Sequence, residues 1–106
     1  MPKYLFSGSY TQDGVKGLLK EGGTSRRATI EALAKGMGGS VEAFYYAFGA
    51  DDIYVIVDVP DQTTAVAISL AVAATGSVQL NTVVLITPEE VDEAAKTTVS
   101  YRPPGQ

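Results

Sequence analysis

The chain has 106 residues, 45% of them hydrophobic and 19% charged, with a net charge of −4 and a sequence pI of about 4.6. That is the make-up of one globular domain rather than of a disordered segment, and an acidic chain lacks the basic surface that attracts nucleic acid or anionic membrane. It contains no Cys and no His, which excludes disulfides, thiolate nucleophiles, zinc–thiolate sites, Ser-His triads and a haem held by His; any metal bound by side chains would need oxygen ligands, as magnesium or calcium do.

Met1-Pro2-Lys3-Tyr4-Leu5-Phe6 has no long apolar run of the signal-peptide kind. The most apolar stretch, Ala65 to Ala74, is shorter than the ~20 residues a bilayer span needs. A cytoplasmic protein with neither membrane nor nucleic acid as partner is the expectation.

Tyr4 to Ser9 reads as the first strand, with Tyr4, Phe6 and Gly8 on one face and Leu5 and Ser7 on the other. Thr11-Gln12-Asp13-Gly14 breaks it. Val15, Leu18 and Leu19 then have helical spacing, predicting a short helix over 14–20 that ends at Gly22-Gly23. Thr24 or Ser25 can cap a second helical piece, whose stripe is Ala28, Ile30, Leu33, Ala34 and Met37 and whose end is marked by Gly36, Gly38 and Gly39. Ser40 to Phe48 and Ile53 to Val59 are strands two and three. The short turn Gly49-Ala50-Asp51-Asp52 makes them an antiparallel hairpin. Asp61 caps a helix from about Gln62 to Ala74, and Val78 to Ile86 is strand four. Thr87-Pro88-Glu89-Glu90 opens a last helix, running to about Lys96, with a capping box and Pro at its first position. Thr97 to Tyr101 is extended, suited to adding to a neighbour's sheet edge, and Pro103-Pro104 blocks further regular structure. Residues 1–96 thus form one domain and 97–106 a tail.

The order β-α-β-β-α-β is the ferredoxin-like motif, an α+β fold. Right-handed crossovers send both helices to one face of a four-stranded antiparallel sheet, so a monomer needs a polar second face. The alternation contradicts that. With strict period two, Phe44, Tyr46 and Phe48, Tyr54 and Ile56, and Val83 and Leu85 form a second apolar face. Strands apolar on both sides are normally buried on both sides, and a symmetric homodimer, sheet on sheet, is the simplest cover.

Thr11-Gln12-Asp13-Gly14-Val15, Gly38-Gly39-Ser40-Val41, Phe44-Tyr45, Gly49-Ala50-Asp51-Asp52, Val55 to Asp61, Gly76-Ser77-Val78 and Thr87-Pro88-Glu89-Glu90 together resemble the GYD domain family of small prokaryotic proteins, over about residues 3 to 96. The signature Gly-Tyr-Asp reads Gly49-Ala50-Asp51 here. The resemblance implies kinship with the dimeric α+β barrel superfamily, whose members include cofactor-free oxygenases, haem enzymes and ligand-binding regulators. The fold does not choose among them.

The residues offer several candidate sites, each set against a structural role. Asp51-Asp52 is either a cation or acid/base pair or, the favoured reading, turn chemistry. Asp58, sharing a face with Tyr54 and Ile56, is either a buried base or, as favoured, an acid that binds Arg or a backbone N–H. Tyr4, Tyr10, Tyr45, Tyr46 and Tyr54, with Phe6, Phe44 and Phe48, supply core and dimer interface first and an apolar ligand pocket second. Arg26-Arg27 at a helix start could hold an anion, although a capped helix with a solvated first turn accounts for it as well. Two functions follow: a small-molecule-binding or assembly module acting as a homo-oligomer without cofactor, or a cofactor-independent oxygenase or isomerase using Tyr and Asp in an apolar pocket. The first is preferred, because the second lacks a His base.

Overall fold

The computed structural model describes residues 1–106. Its elements run β1 (Lys3–Tyr10), α1 (Gln12–Glu21), α2 (Gly23–Gly36), β2 (Ser40–Tyr46), β3 (Ile53–Asp58), α3 (Gln62–Ala73), β4 (Val78–Leu85) and α4 (Pro88–Lys96). The four strands form one antiparallel sheet in the order β2-β3-β1-β4, the ferredoxin-like arrangement expected from the element order.

Local chemistry explains the boundaries. Thr11, Asp61 and Thr87 sit in extended backbone, and their side chains accept from the N–H groups of Gly14, Thr64 and Glu90, so α1, α3 and α4 each begin on a side-chain cap. At Thr87 the capping box is complete, with Glu90 accepting in return from the Thr87 backbone and Pro at the first helical turn. Gly22, at φ 87°, separates α1 from α2. No side chain caps α2, and it begins at Gly23 rather than after Thr24 or Ser25.

The core lies between the sheet and helices α2 and α3. Tyr4 and Phe6 of β1, Ile53, Val55 and Val57 of β3, Val59, Ala65 and Ile68 of α3, and Val78 of β4 are its buried residues. Tyr4 pairs with Val57 and Val84, and Phe6 with Val55 and Thr82, so these residues share the helix-side face.

Strict alternation fails in β2. Val41 lies opposite Val57, but Ala43 lies opposite Ile56, so Glu42 is an inserted bulge residue. A one-residue shift exchanges the faces. Phe44 and Tyr46 therefore pair with Val55 and Ile53 and pack against the core, whereas the sequence pattern placed them on the second face. Phe48 also departs from the pattern. It lies beyond the end of β2 in the left-handed region, at φ 56°, and its ring stacks on Tyr46 at 6.0 Å. The second face remains apolar with a changed membership: Leu5, Ala43, Tyr45, Tyr54, Ile56, Val83 and Leu85, flanked by Lys3, Ser7, Asp58, Gln79 and Asn81.

The molecule is elongated. Its radius of gyration is 17.0 Å and its extents are 57 × 33 × 22 Å, against a radius of about 13 Å for a compact domain of this length. The last segment accounts for this, since every residue from Ile86 to Gln106 is exposed and α4 has no buried residue.

Candidate functional site

Between the sheet and helices α1, α2 and α3 lies an open cavity of about 480 Å³. That is within the size range of small-molecule sites. It exists because β1 alternates Phe6, Gly8 and Tyr10 toward the helices, and because α1 crosses above the end of the sheet without filling the space beneath. Of its 20 lining residues 12 are hydrophobic, so its interior favours an apolar ligand. Phe6, Phe44, Ile53, Val55, Val78 and Leu80 form the floor. Leu18, Ile30, Leu33, Ile68 and Val72 form the walls. Polar groups come from α1 and its neighbours: Tyr10, Asp13, Lys20, Glu21, Arg26, Thr75 and Ser77.

The electrostatics of this polar set are nearly balanced. Arg26 bonds Glu21 at 3.3 Å, and both line the cavity. Partial burial pushes the Tyr10 phenol up to about 12, with the nearby Tyr46 phenol adding to the effect and Arg26 opposing it. Tyr10 therefore stays a neutral phenol across the physiological range, a hydrogen-bond donor rather than a base. Its backbone N–H donates to Asp52 Oδ2 at 2.9 Å, which fixes this end of β1.

The candidate residues fall into separate places. Phe6 and Arg26 line the cavity. Tyr4 is buried in the core. Tyr46 stands on the same side, donating its hydroxyl to the Gly23 carbonyl at 3.2 Å. Tyr45 and Tyr54 are cross-strand partners on the outer sheet face, and both are exposed. Asp58 is on that outer face too, where Lys3 donates to it at 2.8 Å and to Glu42 at 3.1 Å. The hydrogen bond to Asp58, more than that to Glu42, raises the ammonium's pKa. Arg27 lies apart from the cavity, on a shallow surface with Glu31, Glu42 and Tyr45. Asp58 and Tyr54 thus lie away from the apolar cavity, and Arg26 and Arg27 do not converge on one anion. No three acidic side chains cluster in a way that could hold a metal ion, and no helix is long and apolar enough to cross a membrane.

Tyr10 and Phe44, aromatic pocket candidates in the sequence, also line the cavity, whereas Asp13, Lys20, Glu21, Thr75 and Ser77 are polar lining residues that strand and helix patterns left unmarked as a site. A signal for Tyr10 was present: extending the alternation Tyr4, Phe6, Gly8 by one step puts it on the cavity side. Nothing in the sequence spacing shows that α1 stands off the sheet.

Compared with known families, residues 4–95 match the model of the GYD domain. The chain belongs to the GYD domain family. No curated protein and no solved structure matches it. In this GYD domain the family-like motifs meet in pairs. Thr11 N–H donates to the Ser77 carbonyl at 2.9 Å and its hydroxyl to the Gly76 carbonyl at 2.8 Å. Gly39 lies directly against the Asp58 carbonyl. The signature segment Gly49-Ala50-Asp51 is tied to β1, because Ser9 Oγ lies 3.1 Å from the Ala50 carbonyl and 3.2 Å from Asp51 Oδ1, while Asp52 N–H donates to the Gly8 carbonyl. The adjacent carboxylates Asp51 and Asp52 thus hold the hairpin end to β1, and the signature's chemistry here is turn chemistry.

Proposed function

We propose that this GYD domain protein is a homodimeric binding module for a small, largely apolar molecule, held between the sheet and α1. The observation that carries this reading is the 480 Å³ cavity with its hydrophobic lining and its few polar groups gathered on the α1 side. Tyr10 supplies a neutral donor that orients one acceptor atom of the ligand. The paired Arg26 and Glu21 leave little net charge for an anion to exploit. Self-association is supported by the outer face, where Leu5, Tyr45, Tyr54, Ile56, Val83 and Leu85 make a contiguous apolar surface that no helix of the chain covers.

The enzymatic alternative depended on Asp58 near Tyr54. Asp58 is bound by Lys3 on the outer face, and the phenol that does line the cavity holds its proton, so the binding reading is preferred. Titration with an environment-sensitive apolar dye tests it. Saturable binding is expected, with loss of at least tenfold in affinity for Leu18→Trp, which fills the cavity, and no change for Asp58→Asn. Equal binding by Leu18→Trp would remove the cavity from the account.

A further inference from the structure

We infer that α4 is an exchange arm, which packs on the α3–β4 flank of a second copy of this chain. Two unmet requirements in the same molecule point to it. The first is α4 itself. A nine-residue helix is too short to persist alone in water, and its own body gives it no cover, since every residue from Ile86 onward is exposed. It nonetheless has a complete capping box at Thr87 and Glu90, and an apolar stripe of Val91, Ala94 and Ala95 at helical spacing.

The second is α3. Gln62–Ala73 contains no charged residue. Ala65 and Ile68 are buried against the sheet, while Val66 and Leu70, on the far side, are exposed. A helix that is uncharged all round normally has cover on both sides. Beside it, Val84 of the edge strand β4 faces the helix layer and is 58% exposed. Val66, Leu70 and Val84 form the seat.

The arm does not reach its own seat. Only Ile86 and Thr87 separate β4 from α4, Thr87 is extended at φ −78° and ψ 158°, and the molecule is 57 Å long as a result. In a two-fold dimer each arm meets the other copy's seat, so two equivalent contacts cover four exposed surfaces. Charge agrees with this: α4 carries Glu89, Glu90, Asp92 and Glu93 against a single Lys96, and an uncharged seat presents no repulsion. The family match reaches residue 95 and so includes almost all of α4, which makes the arm part of the family unit.

The inference shares one premise with the proposed function, that the partner is a second copy, and the test separates the two. The chain has no native Cys, so Val91→Cys and Leu70→Cys variants, each alone and mixed in equal amounts, report the contact by disulfide formation under mild oxidation. Sedimentation of the full-length unmodified chain gives its oligomeric state in parallel. The expected result is a dimer, with a crosslinked dimer enriched at least fivefold in the mixture over either variant alone. A dimer without that enrichment overturns the arm and leaves the sheet-face reading standing; a monomer overturns both. An intramolecular disulfide in the Val91→Cys/Leu70→Cys double variant, seen as an unchanged chain mass with no free thiol, places α4 on its own body and also overturns the arm.

Discussion

Tyr10, Gly14 and Gly39 carry much of the account at the scale of single residues. Burial holds the Tyr10 phenol near 12, above its ordinary 10.0. The unfolded chain therefore loses this proton first as pH rises, and folded stability falls between about pH 10 and 12, being fully present below that window. Lys3, also raised, acts in the same direction above its ordinary 10.5. Asp61, lowered by the Thr64 backbone N–H it caps, acts oppositely, with its contribution lost as pH falls below about 3.8. In an ultraviolet phenolate titration the Tyr10 step should come late, near 12, and Tyr10→Phe should remove it. Gly14 and Gly39 are needed for close approach. A Cβ at either would overlap the carbonyl oxygen of Ser77 or Asp58, and both carbonyls belong to backbone that cannot swing aside. Gly14→Ala and Gly39→Ala should each cost about 1–3 kcal/mol, the usual range for overpacking, measured by denaturant unfolding. Such residues were legible as motifs before the fold was known. Their partners were not, because contacts between Thr11 and Ser77, or between Gly39 and Asp58, depend on a topology that spacing alone does not give.

Among the elements, the helix starts at Asp61 and Thr87 were the most legible, since each is announced by a side-chain cap, whereas Thr11, which caps α1, lies in a segment that reads as a break before a helix over 14–20. Strand β2 was the least. Glu42 is an ordinary polar residue in an alternating run, and no side-chain pattern marks it as the extra residue of a bulge. Its effect is large: it turns Phe44 and Tyr46 inward to the core and leaves Tyr45 outward against Tyr54. Deleting Glu42 should remove the bulge and join the pairings Val41–Val57 and Ala43–Ile56 into a regular ladder, so Phe44 and Tyr46 stay on the helix side and the variant melts within a few degrees of the parent. A deletion variant that unfolds or loses burial of the two rings would show that their inward placement needs the bulge itself and not only the register around it. The same reasoning explains why an apolar pocket could be expected from the sequence while its lining could not. It depends on α1 standing clear of the sheet, and the α1 sequence, with Val15 and Leu19 exposed and Leu18 turned inward, is compatible with closer packing as well.

For the whole molecule, the ferredoxin-like order and the excess of apolar sheet surface could both be read from the chain, since they need only element order and alternation. The separation of α4 from the body could not, because a capped amphipathic helix has the same sequence whether its partner is its own domain or another copy. An outer sheet face bearing Tyr45, Tyr54, Ile56, Val83 and Leu85, an uncharged α3 and a detached α4 are three apolar surfaces on one chain. Together they make association the property that the rest of the account depends on, and the proposed ligand binding rests on the cavity beneath α1. Native mass spectrometry of the purified full-length chain, at micromolar concentration, measures both at once. A homodimer that retains a small molecule, with the extra mass absent from Leu18→Trp, is the result predicted here; a monodisperse monomer with no retained mass would contradict it.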